Sequence, residues 1–162
     1  MSNNAMLITY NRLPTIPIGR QVVGEMIVIS GDYGRDSFLY ETHEKMGEAF
    51  RKDKEGFLAR QKEQREKAER EAKRLINSLQ MDDIEKCGTI IIYIGVYALG
   101  EMFNLARSLK PLEKNILIIA CDCYKEYKKV EALNIDIPIH FTNECGGGKT
   151  CEEFIKGWNS KK

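Results

Sequence analysis

The sequence lacks any long hydrophobic run, because its longest apolar stretches, such as residues 90–94 and 116–121, are only as long as a β-strand. A membrane-spanning helix needs about 20 apolar residues, so the chain is not expected to associate with a membrane. The first residues also lack the basic segment and apolar core of a secretory signal. We therefore expect a cytoplasmic protein.

An excess of charge of one sign is also missing. The chain has 25 Lys and Arg against 24 Asp and Glu, which gives a formal net charge of +1. Domains that bind nucleic acids usually carry a strong positive field, so a nucleic acid is not an expected partner. The composition, 43% hydrophobic and 30% charged, is ordinary for a globular protein of one domain. We assign that domain to residues 6–162 and place residues 1–5 outside it.

An even set of cysteines, the usual sign of a disulfide framework, is absent as well. The chain has five cysteines and no export signal, so disulfides are not expected. The simplest expectation is that the thiols are buried and act as small apolar side chains. All five lie in the second half of the chain: Cys87, Cys121, Cys123, Cys145 and Cys151.

Apolar strands that alternate with amphipathic helices are present throughout the second half. The strands predicted there are residues 89–94, 115–120 and 136–141, and the predicted helices are residues 96–110, 124–134 and 149–158. A further buried strand is predicted in the first half, at residues 25–30. This alternation indicates right-handed βαβ crossovers, and therefore a mainly parallel sheet in an α/β domain. Pro138 places the last strand near an edge of the sheet. Residues 6–19 are predicted to form a short edge strand followed by an irregular arm.

A long charged helix is predicted after the first main strand, over residues 38–79, in a helical segment that ends near residue 80. Residues 60–67 contain no apolar side chain. A straight helix of about 42 residues would be roughly 60 Å long, although a domain of this size has a radius of gyration of roughly 15 Å. The helix must therefore bend, at Gly56 for example, or project from the domain. The alternatives are a solvated helix or an arm that binds a second copy or another protein.

The position of a ligand site follows from the predicted parallel sheet. Ligands of open parallel sheets bind beyond the carboxyl ends of the strands, where the winding direction changes. Four loops leave such ends in the sequence, and we expect them to form one site for a small molecule. In the first loop, Arg35 is a candidate ligand for an anionic group and Asp32 a candidate acid–base group. The alternative is that this loop only forms a turn and caps the following helix.

The last of these loops contains three consecutive glycines, Gly146, Gly147 and Gly148, followed by Lys149 and Thr150. Backbone N–H groups of such a loop can converge on an anion, and the N-terminus of the following helix favours negative charge. The loop is not a P-loop, because that motif requires glycine at position 143, where the sequence has asparagine. It predicts a phosphate or anion site, or alternatively only a flexible turn.

A second glycine pattern follows the strand at residues 89–94. Gly95 and Gly100 occupy the first and last positions of G-x-G-x-x-G, and Asp122 ends the next strand. This stretch resembles the dinucleotide-binding Rossmann fingerprint, although Tyr97 occupies its middle glycine position. The resemblance implies a Rossmann-like three-layer sandwich and a nucleotide-type ligand bound by Gly95, Gly100 and Asp122. The alternative is that both glycines only permit close strand–helix packing.

The cysteines allow two further types of site. Cys121 and Cys123 lie at one predicted strand end, and Cys145 and Cys151 flank the glycine loop at the next. If the four meet, they could bind zinc or an iron–sulfur cluster. Alternatively, Cys145 is a nucleophile with His140, five residues earlier, as its base.

Taken together, these patterns predict a small α/β protein that binds a nucleotide or another phosphorylated or anionic small molecule at the carboxyl edge of its sheet. Two alternatives stay open. One is a cysteine-based redox, metal-binding or catalytic protein, and the other is an interaction module, including a homo-oligomer, that acts through residues 38–79. The sequence identifies no cofactor and does not decide whether the protein is an enzyme.

Overall fold

The computed structural model describes residues 4–33, 43–94, 98–121, 136–142 and 148–160, with only the backbone at residues 43–46, 99, 121 and 148. The described elements are β1 (Ala5–Asn11), β2 (Gly19–Val23), β3 (Met26–Tyr33), α1 (His43–Lys52), α2 (Lys54–Ser78), α3 (Met81–Lys86), β4 (Thr89–Ile94), α4 (Leu99–Leu109), β5 (Asn115–Cys121), β6 (Ile139–Thr142) and α5 (Gly148–Ser160). A short 3-10 turn, Lys110–Leu112, follows α4. The predicted helix over residues 124–134 lies outside the described residues.

The strands form one sheet of six strands in the order β2-β3-β1-β4-β5-β6. All neighbouring strands are parallel except β2 and β3, which are antiparallel. The predicted α/β class and the mainly parallel sheet are therefore confirmed. β6 is the last strand in this order, at the edge that Pro138 predicts.

The prediction that residues 6–19 begin with a short edge strand is wrong, because this strand, β1, lies in the middle of the sheet. Leu7 pairs with Val28 of β3 on one side and with Ile91 of β4 on the other. All seven residues of β1 are buried. A strand that is covered on both faces needs a nearly continuous apolar sequence, and AMLITYN provides one.

β2 and β3 form a hairpin that the sequence did not predict. Its turn consists of Gly24 and Glu25, and Gly24 has a φ of +63°, as the first central residue of a type II′ turn requires. Asn159 near the end of α5 fixes this turn. Its Nδ2 donates to the carbonyl oxygen of Val23 over 3.0 Å, and its Oδ1 accepts from the N–H of Glu25 over 3.1 Å.

Gly31 lies where the backbones of β1 and β3 approach most closely. The pairing register of these strands shifts between Thr9 and Asn11. A Cβ atom at position 31 would overlap the backbone carbonyl of Tyr10. Gly31 and Asp32 belong to β3, which continues to Tyr33, although the sequence analysis places Asp32 in the loop after this strand.

Helices cover both faces of the sheet. The core on one face contains Ala72 of α2, Met102 of α4 and Ile92 of β4. The core on the other face contains Ile155 of α5 and Leu7 of β1. The described part of the chain is therefore built in three layers, with the sheet in the middle.

The long charged segment forms two helices in place of the single predicted one. Asp53 separates α1 from α2, and its carboxylate accepts a hydrogen bond from the N–H of Gly56 over 3.0 Å, so it caps the N-terminus of α2. The helix is thus interrupted at Asp53, three residues before Gly56, the position at which the sequence suggested a bend. No helix among the described residues combines the length and apolar character needed to cross a membrane.

An ion pair fastens the edge strand β2 to α3. Nε and Nη2 of Arg20 donate to the two carboxylate oxygens of Asp83 over 2.8 and 2.9 Å. The Asp83 side chain is only 7% exposed. These hydrogen bonds from Arg20 outweigh the burial of Asp83 and hold the pKa of its carboxyl group below the usual range.

We expect Gly31→Ala to lower the free energy of unfolding by about 1–3 kcal/mol, because the new methyl group must displace the backbone of β1. Chemical denaturation measures this loss. Gly100→Ala is the matched control, since position 100 is exposed in α4 and a Cβ there meets no described atom within 4 Å. It should stabilise the protein by up to about 1 kcal/mol. Equal stability of Gly31→Ala and the parent would contradict the close β1–β3 approach.

We expect Asp83→Asn to lower the thermal midpoint more than Asp82→Asn, because Asp82 is exposed whereas Asp83 is buried with Arg20. The lowered pKa of Asp83 also fixes the pH dependence. The stabilisation is fully present above the unfolded-state pKa of about 4 and is lost as the pH falls through the folded-state pKa. Thermal melts between pH 2 and pH 7 should therefore show a gap between parent and Asp83→Asn that closes at the acid end. A gap that widens there would refute this account.

Candidate functional site

The carboxyl ends of five parallel strands lie along one edge of the sheet. These strands are β3, β1, β4, β5 and β6, and they end at Tyr33, Asn11, Ile94, Cys121 and Thr142. The four loops that the sequence analysis singles out start from β3, β4, β5 and β6. Their starting points are therefore on the same edge, which we call the carboxyl edge.

The chain leaves β1 and β4 in opposite directions, although the two strands are adjacent and parallel. From β1 it passes β3 to reach β2, and from β4 it turns to β5 on the other side. Such a change of direction opens a crevice at the carboxyl ends of the two strands, and ligands of open α/β sheets bind there. We refer to this place, between the ends of β1 and β4 at Asn11 and Ile94, as the β1–β4 crevice.

Arg12 is the first charged residue beside this crevice. Its N–H donates to the carbonyl oxygen of Tyr33 over 2.8 Å, which fixes the backbone just after β1. Its Nε donates to Oδ1 of Asp32 over 2.8 Å and to the Asp32 carbonyl oxygen over 3.1 Å. The terminal guanidinium nitrogens make no hydrogen bond to any residue that the structure describes.

Sequence reasoning missed Arg12 and selected Asp32 instead. The signal was the position of Arg12 directly after a buried strand, and it was overlooked because β1 was placed at the edge. Both side chains are more than half exposed, at 56% and 57%. In the described contacts, Asp32 orients the guanidinium of Arg12; its predicted role as an acid–base group stays a prediction.

On one side of the crevice, α2 extends beyond the carboxyl edge. Ala68 and Ala72 contribute to the core, but Gln64 already lies beside the end of β3, because Oη of Tyr33 donates to Oε1 of Gln64 over 3.3 Å. Each helical residue adds about 1.5 Å, so Lys54 lies roughly 15 Å beyond Gln64. The first turns of α2 thus extend beyond the carboxyl edge, and α1 packs against α2.

On the other face, the first turn of α5 lies at the carboxyl edge. The hydroxyl oxygens of Thr142, which ends β6, and Thr150 are 3.0 Å apart. The N–H and hydroxyl of Thr15 both donate to Oε1 of Glu152, over 2.6 and 2.8 Å. Thr150 and the exposed Lys149 therefore lie at this edge, and Gly148 is the first residue of α5.

His140 faces α5 from the edge strand β6. Its ring packs edge-on against Phe154, with centroids 5.4 Å apart and an interplanar angle of 76°. Cys145, its predicted catalytic partner, lies outside the described residues. The described contact gives His140 a packing role, and the His140–Cys145 pair stays a prediction.

The two cysteine side chains that the structure describes are buried. Cys151 is 1% exposed and belongs to the core between α5 and the sheet. Cys87 is fully buried, and burial, followed by the nearby Asp83 carboxylate, raises the pKa of its thiol. Among the described side chains, no group of three or more His, Cys, Asp or Glu is arranged to hold a metal ion.

Several predicted site residues cannot be placed. Outside the described residues lie Arg35, Gly95, Asp122, Cys123, Cys145, Gly146 and Gly147, and the side chain of Cys121 is not described. The tetrathiolate site and the glycine-loop anion site therefore stay predictions. Gly100 is exposed, so packing against the sheet does not require a glycine there. Ala98, which directly precedes α4, is the residue with an unusual backbone conformation here: it is left-handed, with a φ of 59°.

Comparison of the chain with known protein families, with curated protein sequences and with solved structures gave no match. The function is therefore inferred from the strand order, the contacts at the carboxyl edge and the chemistry of the residues there.

We expect Cys87 and Cys151 to react with iodoacetamide on the order of 100-fold more slowly in the folded protein than in denaturant, because labelling requires local opening. Peptide mass spectrometry after timed labelling reads each cysteine separately. Rapid labelling of Cys151 under native conditions would contradict its position in the core below α5.

Proposed function

We propose that the protein binds a small phosphorylated or otherwise anionic molecule in the β1–β4 crevice. The observation that carries the proposal is the reversal of winding direction between these two strands. It supports a ligand site because the loops that leave adjacent strands in opposite directions leave a gap between them. From β4 and β5 the chain instead continues in one direction, to β5 and then to β6.

The strand order favours a ligand of one nucleotide or less. When the antiparallel β2 is left out and the five parallel strands are numbered 1 to 5 along the chain, their order in the sheet is 2-1-3-4-5. This is one of the two common orders of doubly wound sheets. A dinucleotide-binding Rossmann sheet has two halves of three parallel strands in the order 3-2-1-4-5-6. Here β3 is followed outward by the antiparallel β2, which leaves no second mononucleotide half. This topology fits a Rossmann-like fold whose ligand is the size of a mononucleotide.

The charges at the edge support an anionic ligand. Arg12 presents two terminal nitrogens, and a guanidinium binds phosphate or carboxylate through two parallel hydrogen bonds. Lys149 adds a second positive side chain in the first turn of α5, where the helix dipole also favours an anion. We assign Arg12, Lys149 and Thr150 to the anionic group. The residues outside the described ranges that complete this proposal are Arg35, Gly95, Asp122, Gly146 and Gly147.

An interaction module is the second candidate, and one observation favours it. Two apolar side chains, Phe50 of α1 and Leu58 near the start of α2, are exposed and do not belong to the core. In contrast, the burial of Cys87 and Cys151 gives no support to a cysteine-based activity.

The test is a calorimetric titration with pyrophosphate, AMP and ribose 5-phosphate. We expect at least one of them to bind, and Arg12→Gln to weaken that binding at least about tenfold, because a hydrogen bond to a charged group contributes about 1.5–3 kcal/mol. Arg107→Gln is the matched control, since Arg107 lies on α4 and donates to the neighbouring Asn104. It should leave the affinity unchanged.

Two results would argue against the proposal. One is the absence of binding by all three compounds at millimolar concentration. The other is binding that Arg12→Gln and Arg107→Gln leave equally intact, since the site would then not include the residue that follows β1.

A further inference from the structure

β2 is a sheet edge whose outer side has no described partner. The strand pairs with β3 alone among the described residues. Its side chains include Val22, which is 64% exposed, and the preceding Ile18 is also exposed. Exposed edge strands are templates for pairing with another chain, and proteins commonly protect them with charged side chains.

The hairpin geometry shows which backbone groups point outward. The two-residue turn of Gly24 and Glu25 makes Val23 and Met26 a hydrogen-bonded pair. Hydrogen-bonded and non-hydrogen-bonded pairs alternate in an antiparallel ladder, so Gln21 also bonds to β3. The N–H and C=O groups of Arg20 and Val22 therefore face the open edge.

The one charge on β2 does not protect this edge. The guanidinium of Arg20 is fixed by two hydrogen bonds to Asp83 of α3, on one face of the sheet. Asp83 thereby holds the guanidinium against α3. A second strand that approaches in the plane of the sheet meets the outward backbone groups and the exposed side chain of Val22.

The strand is complementary to itself. When two copies of β2 are placed antiparallel about a two-fold axis at Gln21, Arg20 of each copy faces Val22 of the other. Both residues have outward backbone groups, so each pair can exchange two hydrogen bonds. A register shifted to place Arg20 opposite its own copy would oppose like charges. In the register centred on Gln21, the methylene stem of Arg20 covers the apolar Val22.

We infer that two copies of this chain associate through β2, in the antiparallel register centred on Gln21, and join their sheets into one continuous sheet. The two-fold symmetry makes the contact isologous and closed, so it yields a dimer without further growth. β2 is separated from the β1–β4 crevice by β3, and the dimer leaves both crevices open. The inference is independent of the proposed ligand.

Sedimentation equilibrium of the full chain over a range of concentrations tests the association. We expect a reversible dimer in the parent. Val22→Lys should raise the dimer dissociation constant at least about tenfold, because it places Lys opposite Arg20 of the second copy. Val22→Glu is the matched charge control, and it should dimerise at least about tenfold more tightly than Val22→Lys. The high exposure of Val22 means that both variants should keep the fold.

Hydrogen exchange of the parent provides a readout that needs no variant. The amides of Arg20 and Val22 should become protected as the protein concentration rises, whereas the amide of Gln21, bonded to β3, should be protected at all concentrations. A monomer at every concentration would overturn the inference. So would equal loss of the dimer in Val22→Lys and Val22→Glu, or a dimer that only Leu58→Lys disrupts, since Leu58 lies on the exposed start of α2.

Discussion

β1 holds the two halves of the sheet together, and the rest of the structure depends on its position. Ile8 pairs with Ile29 of β3 on one side and with Ile92 of β4 on the other, and β3 and β4 have no ladder between them. Full burial of a large aliphatic side chain contributes about 1.5–3 kcal/mol, and β1 buries Leu7 and Ile8 on opposite faces. β1 therefore contributes side chains to the cores on both faces of the sheet.

The same strand also creates the candidate site. Because β1 lies between β3 and β4, the chain must leave it toward β3, away from the direction that β4 takes. The crevice, the position of Arg12 and the long path through α1 and α2 all follow from this one insertion. The path is long because the chain must return from the carboxyl end of β3 to the amino end of β4, across β1. The packing of the core and the position of the candidate site thus both depend on the place of β1 between β3 and β4.

The elements that the sequence predicted best are those whose signal is local. β4 was predicted with its observed bounds and β5 to within one residue, because each is a continuous apolar run between polar turns. β1 was misplaced because one of its two edges is covered only by pairing with residues more than 80 positions away, such as Ile92 with Ile8. β2 was missed because GRQVV is short and half polar. Arg12 was missed for the same reason as β1, since its position beside a crevice exists only when β1 is central.

The most direct test of the account is a set of backbone nuclear Overhauser effects from β1 in solution. The structure requires contacts from Leu7 to Val28 of β3 and, at the same time, to Ile91 of β4. Observation of both sets in one spectrum would establish β1 as the central strand. Contacts from Leu7 to only one of these strands, or direct contacts between β3 and β4, would contradict the strand order on which the fold, the crevice and its proposed ligand depend.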